Sequence, residues 1–189
     1  MVLMMGGEVN IWSEESKMIE LGKFKDDVLR IFETDIDHLG KALMDAVCLN
    51  DKEKFDAYIT TVDGDLSKDY LQMIYQYYNA DRDEKKQDFT PKCLAEFLGL
   101  LVGDEDEIVD LCAGSGSLTI QKWRQNPDSF FKCYELDERV IPYLLFNLVI
   151  RNIRASVCRA DALQFEVYDQ WIIEKGEKYG KLTRVKSAL

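Results

Sequence analysis

A chain of 189 residues, 47% of them apolar, has enough hydrophobic material for one folded domain and a smaller appendage. Its net charge of −11 excludes a protein that grips nucleic acid over a broad basic face of its own, because that affinity comes largely from Lys and Arg contacts to phosphate. No apolar run approaches the roughly 18 residues of a membrane span. The five scattered cysteines (Cys48, Cys93, Cys112, Cys133, Cys158) and the lone His38 form neither a disulfide framework nor a metal set.

Residues 1–12 have no periodicity and read as a loose arm. They lack the basic start of a signal peptide, so the expected location is cytoplasmic, with reduced thiols. From Ser13 the pattern turns helical. Ser13 offers an N-cap, and Met18, Ile19, Leu21, Phe24, Val28, Leu29, Ile31 and Phe32 recur at three- and four-residue spacing. A second helix runs through Leu39, Leu43, Val47 and Leu49. A third starts at Asp51-Lys52-Glu53, and a fourth is predicted over 66–79 after the turn Asp63-Gly64-Asp65. Residues 13–84 therefore read as a helical subdomain. Its tyrosines, Tyr70, Tyr75, Tyr77 and Tyr78, resemble a base-stacking platform, but helical spacing sends most of them against neighbouring helices. His38 reads as a partly exposed helix residue rather than a catalytic one.

The charged run A-D-R-D-E-K-K-Q at 80–87 is the linker to an α/β domain over 85–189. Thr90 caps a helix that Pro91 begins, and Gly103 ends it. E-I-V-D-L-C-A-G-S-G-S at 107–117 then reads as a strand, a glycine turn and a helix N-terminus. Glycine there permits a sharp turn and close approach of a ligand to main-chain N–H groups, and the helix start favours anionic groups. A helix through Trp123 stops at Asn126-Pro127-Asp128. Ser129 to Tyr134 is a strand, Asp137 starts an apolar helix, and Ala155 to Arg159 is a third strand. This order predicts a parallel sheet with right-handed crossovers. Phe165 to Ile173 and Lys181 to Val185 read as a closing hairpin.

Asp110, Glu135 and Asp161 are expected just after the three strands. An acid at the second strand tip, about 20 residues past a glycine turn, suits ribose hydroxyls because a carboxylate accepts two hydrogen bonds at once. An acid near the third can accept from an adenine amino group. Each acid alone is equally explained as a cap on the following helix. All three in order, with the glycine turn, point to an adenosine-type ligand. Cys112 lies where a helix N-terminus lowers a thiol's pKa, yet it reads as a small packing residue.

F-T-P at 89–91, D-L-C-A-G-S-G at 110–116, Y-E-L-D at 134–137, N-L-V-I-R-N-I at 147–153 and A-D-A-L at 160–163 resemble the S-adenosylmethionine-binding half of N6-adenine DNA methyltransferases. The modification subunits of type I restriction systems are especially similar. The resemblance covers about residues 85–165 and implies an incomplete Rossmann-like class I methyltransferase fold, α/β, with a helical N-terminal subdomain. It implies that Phe89, Thr90 and Pro91 pack over the methionine end of the cofactor. Asp110, Cys112, Ala113, Gly114 and Gly116 pass beneath it, Glu135 and Leu136 hold the ribose, and Asp161 and Ala162 line the adenine.

The family's N/D/S-P-P-aromatic motif, which holds the flipped target base, has no counterpart. The three prolines, Pro91, Pro127 and Pro142, are never adjacent. The expectation is therefore a truncated or catalytically incomplete methyltransferase that binds S-adenosylmethionine and meets DNA through a partner subunit. An incomplete sheet leaves an edge after the third strand, to be covered by the hairpin, a homodimer or a heteromer. Two alternatives stand beside it: a non-catalytic interaction protein that reuses the half-fold to dock on a partner complex, and a small-molecule or RNA methyltransferase.

Overall fold

The apolar stripes of the N-terminal half meet on one later helix. In the computed structural model, which describes residues 14–79, 92–103 and 105–185, α1 (Glu14–Phe32), α2 (Leu39–Leu49), α3 (Lys52–Thr61) and α4 (Tyr70–Ile74) gather around α7 (Ile141–Ile150). Every residue of α7 except Pro142 is buried. A helix apolar on all sides must be covered on all sides. Here α2 lies along it, and the Phe146 ring meets Phe32, Phe55 and Tyr58 edge-on at 5.3, 5.7 and 5.1 Å.

The fourth helix is shorter than the periodicity over 66–79 suggests. Asp65 accepts from the Ser67 amide and hydroxyl and from Tyr70, which fixes residues 65–69 as a turn. Asp69 then caps α4 by accepting from the Gln72 amide. A π-helical turn, Tyr75–Asn79, continues it. Tyr70 packs against Phe24 and Tyr75 against Tyr143, while Tyr77 and Tyr78 face solvent. The arm at 1–12, the Ser13 cap and the linker at 80–87 lie outside the described residues.

The second half forms one mixed five-stranded sheet in the order β1 (Glu107–Asp110), β2 (Phe130–Glu135), β3 (Ala155–Asp161), β4 (Glu166–Glu174), β5 (Lys181–Val185). α5 (Lys92–Leu101) packs on α6 (Ser117–Gln125), which links β1 to β2. The first three strands are parallel, as the β–α–β order predicts, but β4 and β5 are antiparallel and belong to the same sheet. The reason is the connection: residues 162–165 are too few for the crossover a parallel neighbour needs, so the chain doubles back. The hairpin thus covers the edge of β3, and β1 is the terminal parallel strand.

Register explains the core. Ile108, Phe131, Ala155 and Ile173 form one buried row across the sheet, and Cys133, Val157 and Trp171 the next. The alternate residues Val109, Lys132, Tyr134 and Ile172 stay partly or largely exposed. One face of the sheet is packed, while on the other the central strand β3 is buried at Ser156 and Cys158 and its neighbours are more open.

α7 begins at Ile141, four residues later than the acids at 137–138 suggest. Asp137 instead holds its own turn, accepting from the Arg139 amide and guanidinium. No helix among the described residues is long and apolar enough to cross a membrane.

Candidate functional site

The three acids occupy one end of the sheet. Asp110, Glu135 and Asp161 are the last residues of β1, β2 and β3 rather than the residues just past them. Asp110 pairs with Cys133, and Glu135 with Arg159. Each acid therefore stands two residues further along the sheet than the last, a step of about 6–7 Å.

Neither Asp110 nor Glu135 caps the helix that follows it, and β3 leads into a strand rather than a helix. The N-cap of α6 is Gly116 and that of α7 is Val140, neither with a side-chain cap bond. Glu135 instead reaches back to the glycine turn. Its Oε2 accepts from the Gly114 amide at 2.9 Å and its Oε1 from the Asp137 amide at 2.8 Å. Main-chain pairing runs on beyond β1, with the Ala113 amide donating to the Tyr134 carbonyl. The turn then reverses through two residues of positive φ, Gly114 at 54° and Gly116 at 101°. At Gly116 an added Cβ would also stand 3.0 Å from Leu144 Cδ1. With no side chain at its cap, the N-terminal end of α6 keeps its amide dipoles for another acceptor.

Asp110 Oδ2 accepts from the Thr119 hydroxyl, 2.9 Å away, on the first turn of α6. That hydroxyl also lies 3.6 Å from Cys133 Sγ. Burial pushes the Asp110 carboxyl above its ordinary range, with the Thr119 bond opposing. Cys112 is exposed rather than a packing residue. Desolvation of its sulfur, then the charges of Glu135 and Asp110, push its thiol up. Ala113 is buried beneath the turn, whereas Leu111 and Leu136 present apolar surface above it.

Asp161 belongs to its own loop. Its Oδ1 accepts from the Leu163 and Gln164 amides at 2.9 and 3.0 Å, which closes the turn into β4 with Ala162 inside it. Phe89, Thr90 and Pro91 lie outside the described residues. His38 is exposed at the start of α2, its Nδ1 2.7 Å from Asp35 Oδ1. A cleft of about 300 Å³ lies beside the turn at Asp137, lined by Asp37, Gly40, Lys41, Tyr75, Glu138, Arg139, Pro142 and Tyr143, all outside the glycine turn.

Sequence reasoning missed what lies beneath the turn. Ser115 Oγ donates to Asp69 Oδ2 at 2.5 Å, and Ser117 Oγ donates to the same atom at 3.0 Å. Asn147 Nδ2 donates to Asp69 Oδ1 and to the Ser115 carbonyl, at 2.8 and 2.9 Å. Asn147 lies in the N-L-V-I-R-N-I run, so a signal was present without an assigned role.

The family model for N-6 DNA methylase matches residues 62–174, more than half of the chain. No curated protein and no solved structure matches it.

Proposed function

This chain belongs to the N-6 DNA methylase family, and on that premise we propose that it binds S-adenosylmethionine at the C-terminal ends of β1–β3. The observation that carries the proposal is the Glu135 carboxylate bonded to the Gly114 amide: the acid of one strand tip is held against the glycine turn of the next. Each carboxylate oxygen there uses one backbone donor and keeps acceptor capacity for a ribose hydroxyl. The exposed Leu136 offers apolar surface beside Glu135 at the ribose, and Asp161 with Ala162 is assigned to the adenine. The uncapped start of α6 suits a carboxylate. Asp110, Cys112, Ala113 and Gly116 form the floor, and Phe89, Thr90 and Pro91 are assigned to the methionine end by resemblance alone.

The donor set fits such a cofactor, which would supply a methyl group on a sulfonium, already activated for transfer. The chain's own residues bind and orient it. No pair of adjacent prolines exists among the 189 residues; if the protein methylates adenine, a second chain supplies the pocket for the flipped base. On this reading the parallel strands are the first half of a Rossmann-like class I methyltransferase sheet, residues 13–84 its helical subdomain, and the working protein a restriction–modification type assembly that meets DNA through a partner.

Titration calorimetry with S-adenosylmethionine and S-adenosylhomocysteine tests it. Wild type binds both, and Glu135→Ala weakens binding by about 1–3 kcal/mol, roughly 5- to 150-fold. Absence of heat with either ligand from folded wild-type protein defeats the proposal. A non-catalytic docking role is the second reading, favoured by the missing proline motif. A chain altered at both Gly114 and Glu135 that still captures a partner argues for it.

A further inference from the structure

Asp69 lies in the helical segment, 46 residues before Ser115, yet it is buried beneath the glycine turn and accepts hydrogen bonds from two of its hydroxyls. Oδ2 accepts from the hydroxyls of Ser115 and Ser117, and Oδ1 accepts from Asn147 Nδ2 and from the Gln72 amide. Asn147 is itself fully buried and clamps the Ser115 carbonyl. Behind it stands Arg151, buried in turn, which donates to the Asn147 carbonyl and Oδ1 and to the Leu66 and Lys68 carbonyls. From the other side Gln121 of α6 donates to the Ser67 carbonyl. The loop at 66–69 is therefore fastened to both helices that flank the turn.

A backbone segment with two residues of positive φ has many competing conformations. Such a segment binds a ligand tightly only when something else selects one of them, because the ordering is otherwise lost from the affinity. Glu135 restrains the Gly114 amide from above, and Asp69 restrains both serines from below. We propose that Asp69 is a positioning residue for the cofactor, which with Asn147 holds the glycine turn in its binding conformation and makes cofactor affinity depend on the helical segment. The inference rests on the S-adenosylmethionine reading above. Its reach is different: it assigns a role in binding to a residue that need not touch the ligand.

The test compares wild type with Asp69→Asn, Ser115→Ala and the double variant in the full chain. Binding of S-adenosylmethionine and S-adenosylhomocysteine is measured by calorimetry well below every variant's melting temperature. A purely structural role lowers the melting temperature but leaves the dissociation constant of the folded protein unchanged. Positioning weakens binding about tenfold in Asp69→Asn and several-fold in Ser115→Ala, and the double variant is no weaker than Asp69→Asn alone. If Asp69→Asn does not fold, Ser115→Ala and Ser117→Ala carry the comparison. Amide exchange across residues 113–117 supplies a ligand-free readout, expected to quicken in the same variants. Wild type that binds neither ligand removes the cofactor reading, while the exchange result still decides whether Asp69 holds the turn. Folded variants that bind with wild-type affinity overturn the proposal, whatever their exchange.

Discussion

Asp110 and Glu135 are neighbouring carboxylates with different surroundings. Glu135 has two amide donors, whereas Asp110 has a hydroxyl and a longer amide contact inside the packed face. A carboxyl whose folded pKa is raised contributes stability below its ordinary pKa and loses that contribution as pH rises through the folded value. Ionised Asp110 therefore costs stability at neutral pH. Asp110→Asn, which keeps the shape without the charge, is expected to match wild type near pH 4 and to melt a few degrees higher at pH 7. A shift of that size follows from about 1 kcal/mol in a domain of this length. Melting curves across that range check it, and a variant less stable at pH 7 than at pH 4, relative to wild type, contradicts it. The acids were legible in the sequence because each follows its own apolar run. Asp69 was not, since a residue before a helix reads as an ordinary cap and nothing local announces a partner 78 residues away.

Among the elements, the hairpin β4–β5 owes its place to two glycines near its turn. The Gly180 amide donates to the Val149 carbonyl at the end of α7, 2.8 Å away. An ideal Cβ there would lie 2.6 Å from Ile173 Cγ2 and 3.4 Å from Val149 Cα. Ile173 is fully buried and cannot swing aside. Gly180→Ala is thus expected to cost about 1–3 kcal/mol by overpacking, read as a lower denaturant midpoint with faster amide exchange in β4 and β5. An unchanged midpoint would mean that the hairpin shifts freely on α7. The hairpin itself was legible from two β-rich runs around a glycine-containing turn. Its pairing to β3 was not, because strand alternation fixes which face is buried but not which neighbour a strand joins.

At the scale of the molecule, Phe146 is where the two halves meet. Its ring packs against Phe32, Phe55 and Tyr58 from the helical segment, and the buried residues of both halves form one continuous core. Phe146→Ala is expected to cost about 3–5 kcal/mol. Wild type should unfold in one step, with helix and near-ultraviolet signals coincident; two separated transitions would show that the helical part stands alone. The charged run near residue 80 reads as a boundary from the sequence alone but carries no information on the packing of Phe146.

The terminal strand β1 has a consequence for behaviour at high concentration. A sheet edge is a template on which further chains can stack, and β1 is only four residues long with Glu107 and Asp110 at its ends. Shortness limits what such an edge can recruit, and Glu107 is already paired with Lys132 of the neighbouring strand, 2.8 Å away. The remaining restraint is the chain's net charge of −11, which keeps copies apart at neutral pH and fades as acid titrates the carboxylates, so that the same edge turns from a guarded boundary into an adhesive one.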